Sequence, residues 1–493
     1  MDSGDSMPLV IVITHFINSF CIILLIRSGL HILADHPMLY WTDHTRRDNY
    51  WLKFGRKVMP KDKLWTAHDE AEISSHVYTL PGGGHKWFGM ARNWHFATAI
   101  LWLVTGAVYW GYMFTTGAWR RLIPTSWSIF PAAWHDLLGY LTFHIPPLSA
   151  FQPYDPLQQL TYSGVAFVLP VLMILTALAM SPALMNRFPR YLLIFGGRRQ
   201  AARSLHFVGM LLFSAFIVIH LTLVALVYFY RNVKLITFGT THVNFSAALT
   251  VLLASLLFLL IFNVVATYFT LNHRVLVRKI LVAIMNPVIH ATFGWMVPRK
   301  TYQKKDVSEF FRVNGYPPET EEFHRLHASG FRDYRLKVEG MVTNELTLSL
   351  DDIKRMPRQE QITKHVCIQG WTAIGEWGGM RMQEILDLAK PKTGAKYVVF
   401  HAYDVDAGGK PFYEVLRIGD MKDKLSLLAY EMNWKPLDLE HGAPLRLRCE
   451  RHLGYKMVKY IRAIEFVDSY KGIGDGRGGY REDNVLFDWE ATI

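Results

Sequence analysis

The sequence is poor in cysteine and short of acidic charge, and each shortage excludes something. Cys21, Cys367 and Cys449 are the three cysteines in 493 residues. They are too few and too scattered for a disulfide framework or a zinc site. Fifty-three Lys and Arg stand against 41 Asp and Glu, a formal charge of +12. No recognition motif accompanies that excess, so nucleic acid is not its explanation. The N-terminus lacks a basic n-region and a twin arginine, and its apolar run is expected to be retained rather than cleaved as a signal. The string GIGDGRGG (472–479) lacks the strand–helix frame of a dinucleotide loop and is expected to be a flexible turn segment. Charged residues make up only 19% of the chain. The mean hydropathy of +0.12 is too low for a purely membrane-embedded protein and too high for an ordinary soluble one. A split molecule is implied.

What the chain does have is long uncharged runs, at 8–26, 94–114, 157–182, 204–230 and 243–272. Each is long enough to span a bilayer, giving five expected spans. On the fourth run His206 and His220 are fourteen residues apart. A helix advances about 21 Å over that distance and turns roughly 1400°, so both imidazoles share one face within about 40°. One imidazole near each membrane face suits two stacked haems with histidine axial ligands. Following the chain through alternating spans, His95 falls at the depth of His206 and His15 at the depth of His220. His31 also falls near the His95 end and competes with it. Intramembrane histidines are costly and usually functional.

Orientation follows from charge. Loops 34–93 and 183–203 carry fourteen Lys/Arg, against four in the segments on the other side. The basic side is therefore expected to be cytoplasmic and the N-terminus periplasmic. Arg198, Arg199 and Arg203 could meet haem propionates, although solvated loop charge is the commoner role. The stretch 280–297, interrupted by Asn286 and Pro287, is expected to be a broken pair of interfacial helices rather than a sixth span. The expected division is 1–272 membrane domain, 273–305 basic linker and 306–493 soluble domain. In the last, 334–342, 396–403, 443–448 and 460–467 read as strands, and 350–355 and 381–389 as helices. The fold class is thus multi-domain, a transmembrane helical bundle followed by a mixed α/β domain.

The soluble part holds a second constellation: HVCIQGW (365–371), then HGAPLR (441–446) and LGYK (453–456). A lone cysteine is usually an inert buried hydrophobe. A thiolate, however, is a good soft ligand for a metal, and Arg446, Arg451, Lys456 and Lys459 supply charge for an anionic, phosphate-bearing cofactor. Arg381 and Lys410 could aid oxyanion binding, with ordinary surface charge the simpler reading.

The four-histidine layout of 8–272 resembles the di-haem cytochrome b subunits of membrane formate dehydrogenases and hydrogenases. The three strings, over roughly 315–470, resemble the sulfite-oxidase-type molybdopterin fold. That resemblance implies Cys367 as thiolate ligand of molybdenum, with His401, His441, Arg446, Gly454, Tyr455 and Lys456 holding the pterin and its phosphate. The chain ends too soon for an immunoglobulin-like dimerisation domain, so the catalytic subunits of molybdenum methionine-sulfoxide reductases are the more similar group. The implied function is a bacterial inner-membrane molybdenum oxidoreductase with two b haems, exchanging electrons with quinone and reducing an S-oxide or N-oxide, with the molybdenum domain cytoplasmic. Two alternatives stand beside it, a sulfite dehydrogenase feeding quinone and a transmembrane electron carrier without molybdenum chemistry. Lipid, quinone or quinol and a small oxygen-atom donor or acceptor are the expected partners, and a homodimer is a possible assembly.

Overall fold

The computed structural model describes residues 6–55, 57–58, 64–72, 85–142, 144, 154–293, 295–296, 301–406 and 408–487. Residues 73–84 of the long first loop, and residue 297 at the end of the expected interfacial stretch, lie outside them. Helices run in the order α1 (Leu9–Asp35), α2 (His85–Thr115), α3 (Ile129–Leu141), α4 (Pro156–Ser163), α5 (Leu169–Met180), α6 (Pro182–Arg187), α7 (Arg199–Leu226), α8 (Phe229–Phe238), α9 (Phe245–Asn272) and α10 (Arg274–Thr292). The chain forms two compact units, each interleaved in sequence with the other.

The first unit comprises Met1–Ser28, Trp94–Ala177 and Leu205–His273. Its helices are long because few residues interrupt them: the 27 residues of α1 rise about 40 Å, more than the hydrocarbon thickness of a bilayer. Polar side chains within them are satisfied locally. The hydroxyls of Thr14, Ser28, Thr105 and Thr176 donate to carbonyls four residues back, at 2.7, 2.6, 2.9 and 2.7 Å. A π turn at Gly164–Val168 joins α4 to α5 into one span, Pro156–Met180, and the Trp110 indole donates to its Ala166 carbonyl at 2.9 Å. By length and composition six described helices could cross a membrane, not five.

The sixth is α10, and the expected helix pair is corrected to one helix with Pro287 inside it. A proline costs an internal helix one hydrogen bond and some bending. Here Val277, Leu281, Met285 and Ile289 form an i, i+4 stripe that is buried, which opposes a break.

The second unit comprises Gly29–Asn93, Leu178–Ser204 and Arg274–Ile493. Beyond a short pair of β1 (Met38–Leu39) and β2 (Leu52–Lys53) it contains β3 (Arg335–Gly340), β4 (Leu346–Ser349), β5 (Arg358–Val366), β6 (Thr372–Arg381), β7 (Tyr397–Val405), β8 (Pro411–Arg417), β9 (Ser426–Met432), β10 (Lys435–Pro436), β11 (Arg446–Cys449) and β12 (Ile461–Val467). One sheet has the order β10-β9-β6-β5, with β11 also on β9, and the other β4-β3-β12-β7-β8. Strand β12 is parallel to β3 and antiparallel to β7. Alternate residues of the two sheets, among them Val338, Phe400, Ile464, Met380, Leu428 and Leu447, share one core with Ile385 and Leu386 of the short helix Met382–Ala389.

The segment 472–479 is a turn segment, as expected, and Asp483 binds it. Asp483 accepts from the backbone N–H of Asp475 at 2.9 Å and of Arg477 at 3.1 Å, and Arg477 returns a bond to the Asp483 carbonyl at 2.8 Å. Glycine is needed at 474 and 476, where φ is +56° and +75°.

Candidate active site and histidine pairs

In the first unit the histidines meet as the depths required. The rings of His15 and His220 have centroids 6.3 Å apart, and those of His95 and His206 6.4 Å apart. Each pair leaves room for one metal ion between its rings, so His15 with His220 and His95 with His206 would each be able to hold a haem iron. The ring that faces His206 is that of His95, while His31 is buried in the second unit. His95 Nδ1 lies 3.0 Å from the Ser28 hydroxyl and His206 Nδ1 lies 2.9 Å from that of Thr176. His220 instead stacks on Phe216 at 5.2 Å and meets the edge of Tyr162 at 6.2 Å.

In the second unit Cys367 sits in the connection between β5 and β6, the hairpin that forms the longest pairing of its sheet. The turn is tight: Gly370 N donates to Cys367 O at 3.0 Å, and Cys367 N to Trp371 O at 3.1 Å. Gly370 is required, because its φ is +118° and a Cβ there would stand 3.1 Å from Arg203 Nε. Its carbonyl accepts from the Arg199 guanidinium at 2.9 Å and the Gln200 amide at 2.7 Å. Asp43 caps the first turn of α7 through the N–H groups of Arg199 and Gln200 at 3.2 and 2.9 Å, and it pairs with Lys364. Arg199 and Arg203 are therefore occupied by backbone carbonyls of this unit.

Positive charge gathers around Phe311 and Trp377, which share a core cluster with Cys367. Phe311 is the hub, with its ring 5.3 Å from His365, 5.9 Å from Trp371, 5.5 Å from Trp377 and 5.6 Å from His441. Arg446 and Arg448 lie over Trp377 at 4.8 and 4.2 Å. Arg448 is paired with Glu450 and also reaches His365 Nδ1 at 2.9 Å. Arg446 and Lys459 bond carbonyls, and among the described residues neither has a carboxylate within ion-pair distance. Burial, with Arg448 alongside, draws the Arg446 guanidinium down to about 9. Burial and then Arg446 bring the Lys459 ammonium down to about 7. Burial pushes the Cys367 thiol up to about 12, so a thiolate here calls for a bound cation. Arg446 Nε and the indole N–H groups of Trp371 and Trp377 are buried donors with no partner among the described residues. Uncompensated cations, idle donors and a soft sulfur fit an acceptor-rich anionic cofactor carrying a metal.

Comparison with known proteins agrees for both units. Residues 6–239 match the family described as prokaryotic cytochrome b561, and residues 324–472 match the oxidoreductase molybdopterin-binding domain. A Bacillus subtilis protein called uncharacterized oxidoreductase YuiH is 34% identical over 164 residues, which are 32% of this chain and 79% of that protein. The chain belongs to the molybdopterin-binding oxidoreductase family. It joins a molybdopterin-binding oxidoreductase domain to a domain of the cytochrome b561 family. A protein of Azospira oryzae, provisionally named protein-methionine-sulfoxide reductase subunit YedZ1, is 31% identical over 182 residues, 37% of this chain and 63% of its own. The protein-methionine-sulfoxide reductase catalytic subunit MsrP of Campylobacter jejuni is 32% identical over 146 residues, 27% of this chain and 49% of its own. The chain thus spans about half to two thirds of the length of these two relatives.

Of the pterin residues expected in this oxidoreductase, His441 and Arg446 belong to the cationic cluster, joined by a 2.7 Å bond from Arg446 to the His441 carbonyl. Gly454 belongs too, for a reason absent from the motif: a Cβ there would stand 2.3 Å from His365 Cε1, so glycine admits that ring. Tyr455 packs against Phe487, with ring centroids 5.0 Å apart and tilted by 41°. His401 is on β7 and bonds Glu465 at 2.9 Å. Lys456 is ion-paired within the domain. Its ammonium is enclosed by Glu414 at 2.8 Å, Glu482, and the Gly478 carbonyl at 3.1 Å, which use its three donors. His365, Arg448, Trp377 and Phe311 went unassigned in the sequence. The first stood two residues from Cys367 and was the one detectable signal.

Proposed function

We propose that the protein takes electrons from membrane quinol through two b haems, ligated by His95/His206 and His15/His220, to a molybdenum ligated by Cys367, and there reduces an S-oxide or N-oxide. The observation that carries the proposal is two imidazole pairs with centroids 6.3 and 6.4 Å apart, in a chain that also buries a thiol in one core cluster with Phe311, Trp371 and Trp377. The names of the relatives from Azospira oryzae and Campylobacter jejuni support a sulfoxide as substrate. Molybdopterin, when bound, supplies two-electron oxygen-atom transfer, and haem supplies one-electron steps. The chain's own residues have separate tasks. Arg446 and His441 hold the anionic part of the pterin, Phe311 and the tryptophans exclude water from the thiol, and the histidines hold iron at two depths. The reaction balances as quinol plus sulfoxide giving quinone, sulfide and water.

The composition of the second unit supports a reading of its side of the membrane. Loops 34–93 and 183–203 lie on one side if the first five spans alternate, and both are built into the unit that carries Cys367. That supports a catalytic unit on the same side, with α10 lying along the interface through its buried stripe instead of crossing. The Lys/Arg excess of those loops supports a cytoplasmic side. Alkaline phosphatase fused after residue 487 should then be inactive, and strong activity would reverse the assignment.

Haem spectra of the purified chain in nanodiscs test the chemistry. Quinol should reduce the haems, and methionine sulfoxide or trimethylamine N-oxide should reoxidise them. Reduction by sulfite, with no reoxidation by any oxide, would establish the opposite direction.

A further inference from the structure

The two histidine pairs are held by different chemistry. Ser28 has one hydroxyl proton, and it is directed at the Leu24 carbonyl, 2.6 Å away. Its oxygen therefore faces His95 Nδ1, at 3.0 Å, as an acceptor. Thr176 repeats the arrangement on another helix. Its hydroxyl donates to the Leu172 carbonyl at 2.7 Å, so it accepts from His206 Nδ1 at 2.9 Å, next to the Met173 carbonyl, which His206 also hydrogen-bonds. With the hydroxyl protons directed at the helix carbonyls, this arrangement favours the hydrogen on Nδ1 and the lone pair on Nε2. Two helices thus present rings 6.4 Å apart with the same nitrogen free for iron. His220, by contrast, rests against the rings of Phe216 and Tyr162.

We propose that Ser28 and Thr176 are positioning residues that fix the tautomer of His95 and His206 and lower the reduction potential of the haem between them. The proposal rests on the assignment of these histidines as haem ligands. A donor hydrogen bond from Nδ1 makes the imidazole a more basic ligand, which favours ferric over ferrous iron. Reduction adds one electron and moves no proton here, so the effect is one of ligand strength alone. A hydroxyl that only satisfied its own helix would leave the haem indifferent to its removal.

Potentiometric titration of the full-length protein, followed in the α band and by low-temperature EPR, tests this. In Ser28→Ala and Thr176→Val both haems should remain, one midpoint should move to more positive potential, and the other should stay. The double variant should shift further, with a changed low-spin signal for that haem alone. Thr176→Ser, which keeps the hydroxyl and loses the methyl, should restore both readings. If a variant loses that haem outright, recovery in Thr176→Ser supports the proposal and failure to recover overturns it. Two bound haems with unchanged potentials in the double variant also overturn it. The ligand assignment itself is checked separately: His95→Ala with full haem content would refute that reading and leave the hydroxyls no ligand to act on.

Discussion

The histidine pairs and the Cys367 pocket solve opposite problems. Around His95 and His206 the bundle supplies neutral hydroxyls, and around His220 it supplies aromatic rings. Around Phe311 and Trp377, which share a core cluster with Cys367, the domain buries Arg446, Arg448 and His365, with Lys459 close to Arg446. A haem iron in an apolar layer requires lone pairs at a fixed separation, and charge there would be costly. An anionic cofactor in a folded domain requires cations whose burial it then compensates. The contrast teaches which variants should move each site independently.

The largest effect belongs to Cys367→Ser. Turnover should fall by more than about 100-fold, beyond what outer-shell partners of a metal usually cost. Haem content should not change, and a parallel loss of haem would merge two regions that the account separates. His206→Ala and His220→Ala should each remove about half of the haem b by pyridine haemochrome assay, because their sites are about 21 Å apart along one helix. Loss of all haem in either would make the two pairs one cooperative unit. Arg446→Met should lower pterin retention by about 10–100-fold, measured as fluorescence of the oxidised pterin, with the fold intact. Retained pterin would remove the main anion-binding role from the cationic cluster.

Lys456→Met gives the smallest functional change and the clearest assignment. Removing the ammonium leaves two buried carboxylates without their counterion, a loss of about 3–5 kcal/mol in such settings. Thermal stability should therefore drop while pterin content per folded molecule holds. Unchanged stability with lost pterin would support the phosphate role inferred from the motif.

Those outcomes bear on what the sequence revealed. The histidine pairing was legible because helical periodicity and alternating spans convert spacing into depth. The proline in 280–297 misled, since the pattern of Val277, Leu281, Met285 and Ile289 outweighs one missing hydrogen bond. Strands β5 and β6 were missed although they frame Cys367, because RQEQITKHV and TAIGEWGGMR lack apolar alternation and are buried by tertiary contacts. The ion pairing of Lys456 was hidden because its partners Glu414 and Glu482 stand 42 and 26 residues away. The Lys/Arg excess had two sources that a count does not separate. Arg47, Arg199 and Arg203 hold backbone carbonyls within the second unit, so part of the topological signal is folding chemistry.

The central claim is that electrons leave the haems through the Cys367 site. Anaerobic stopped-flow absorbance of the quinol-reduced protein, mixed with methionine sulfoxide, measures it directly. The account predicts α-band bleaching of both haems within the turnover time in the unaltered chain, and haems that stay reduced in Cys367→Ser. Equal bleaching in the two proteins would contradict it.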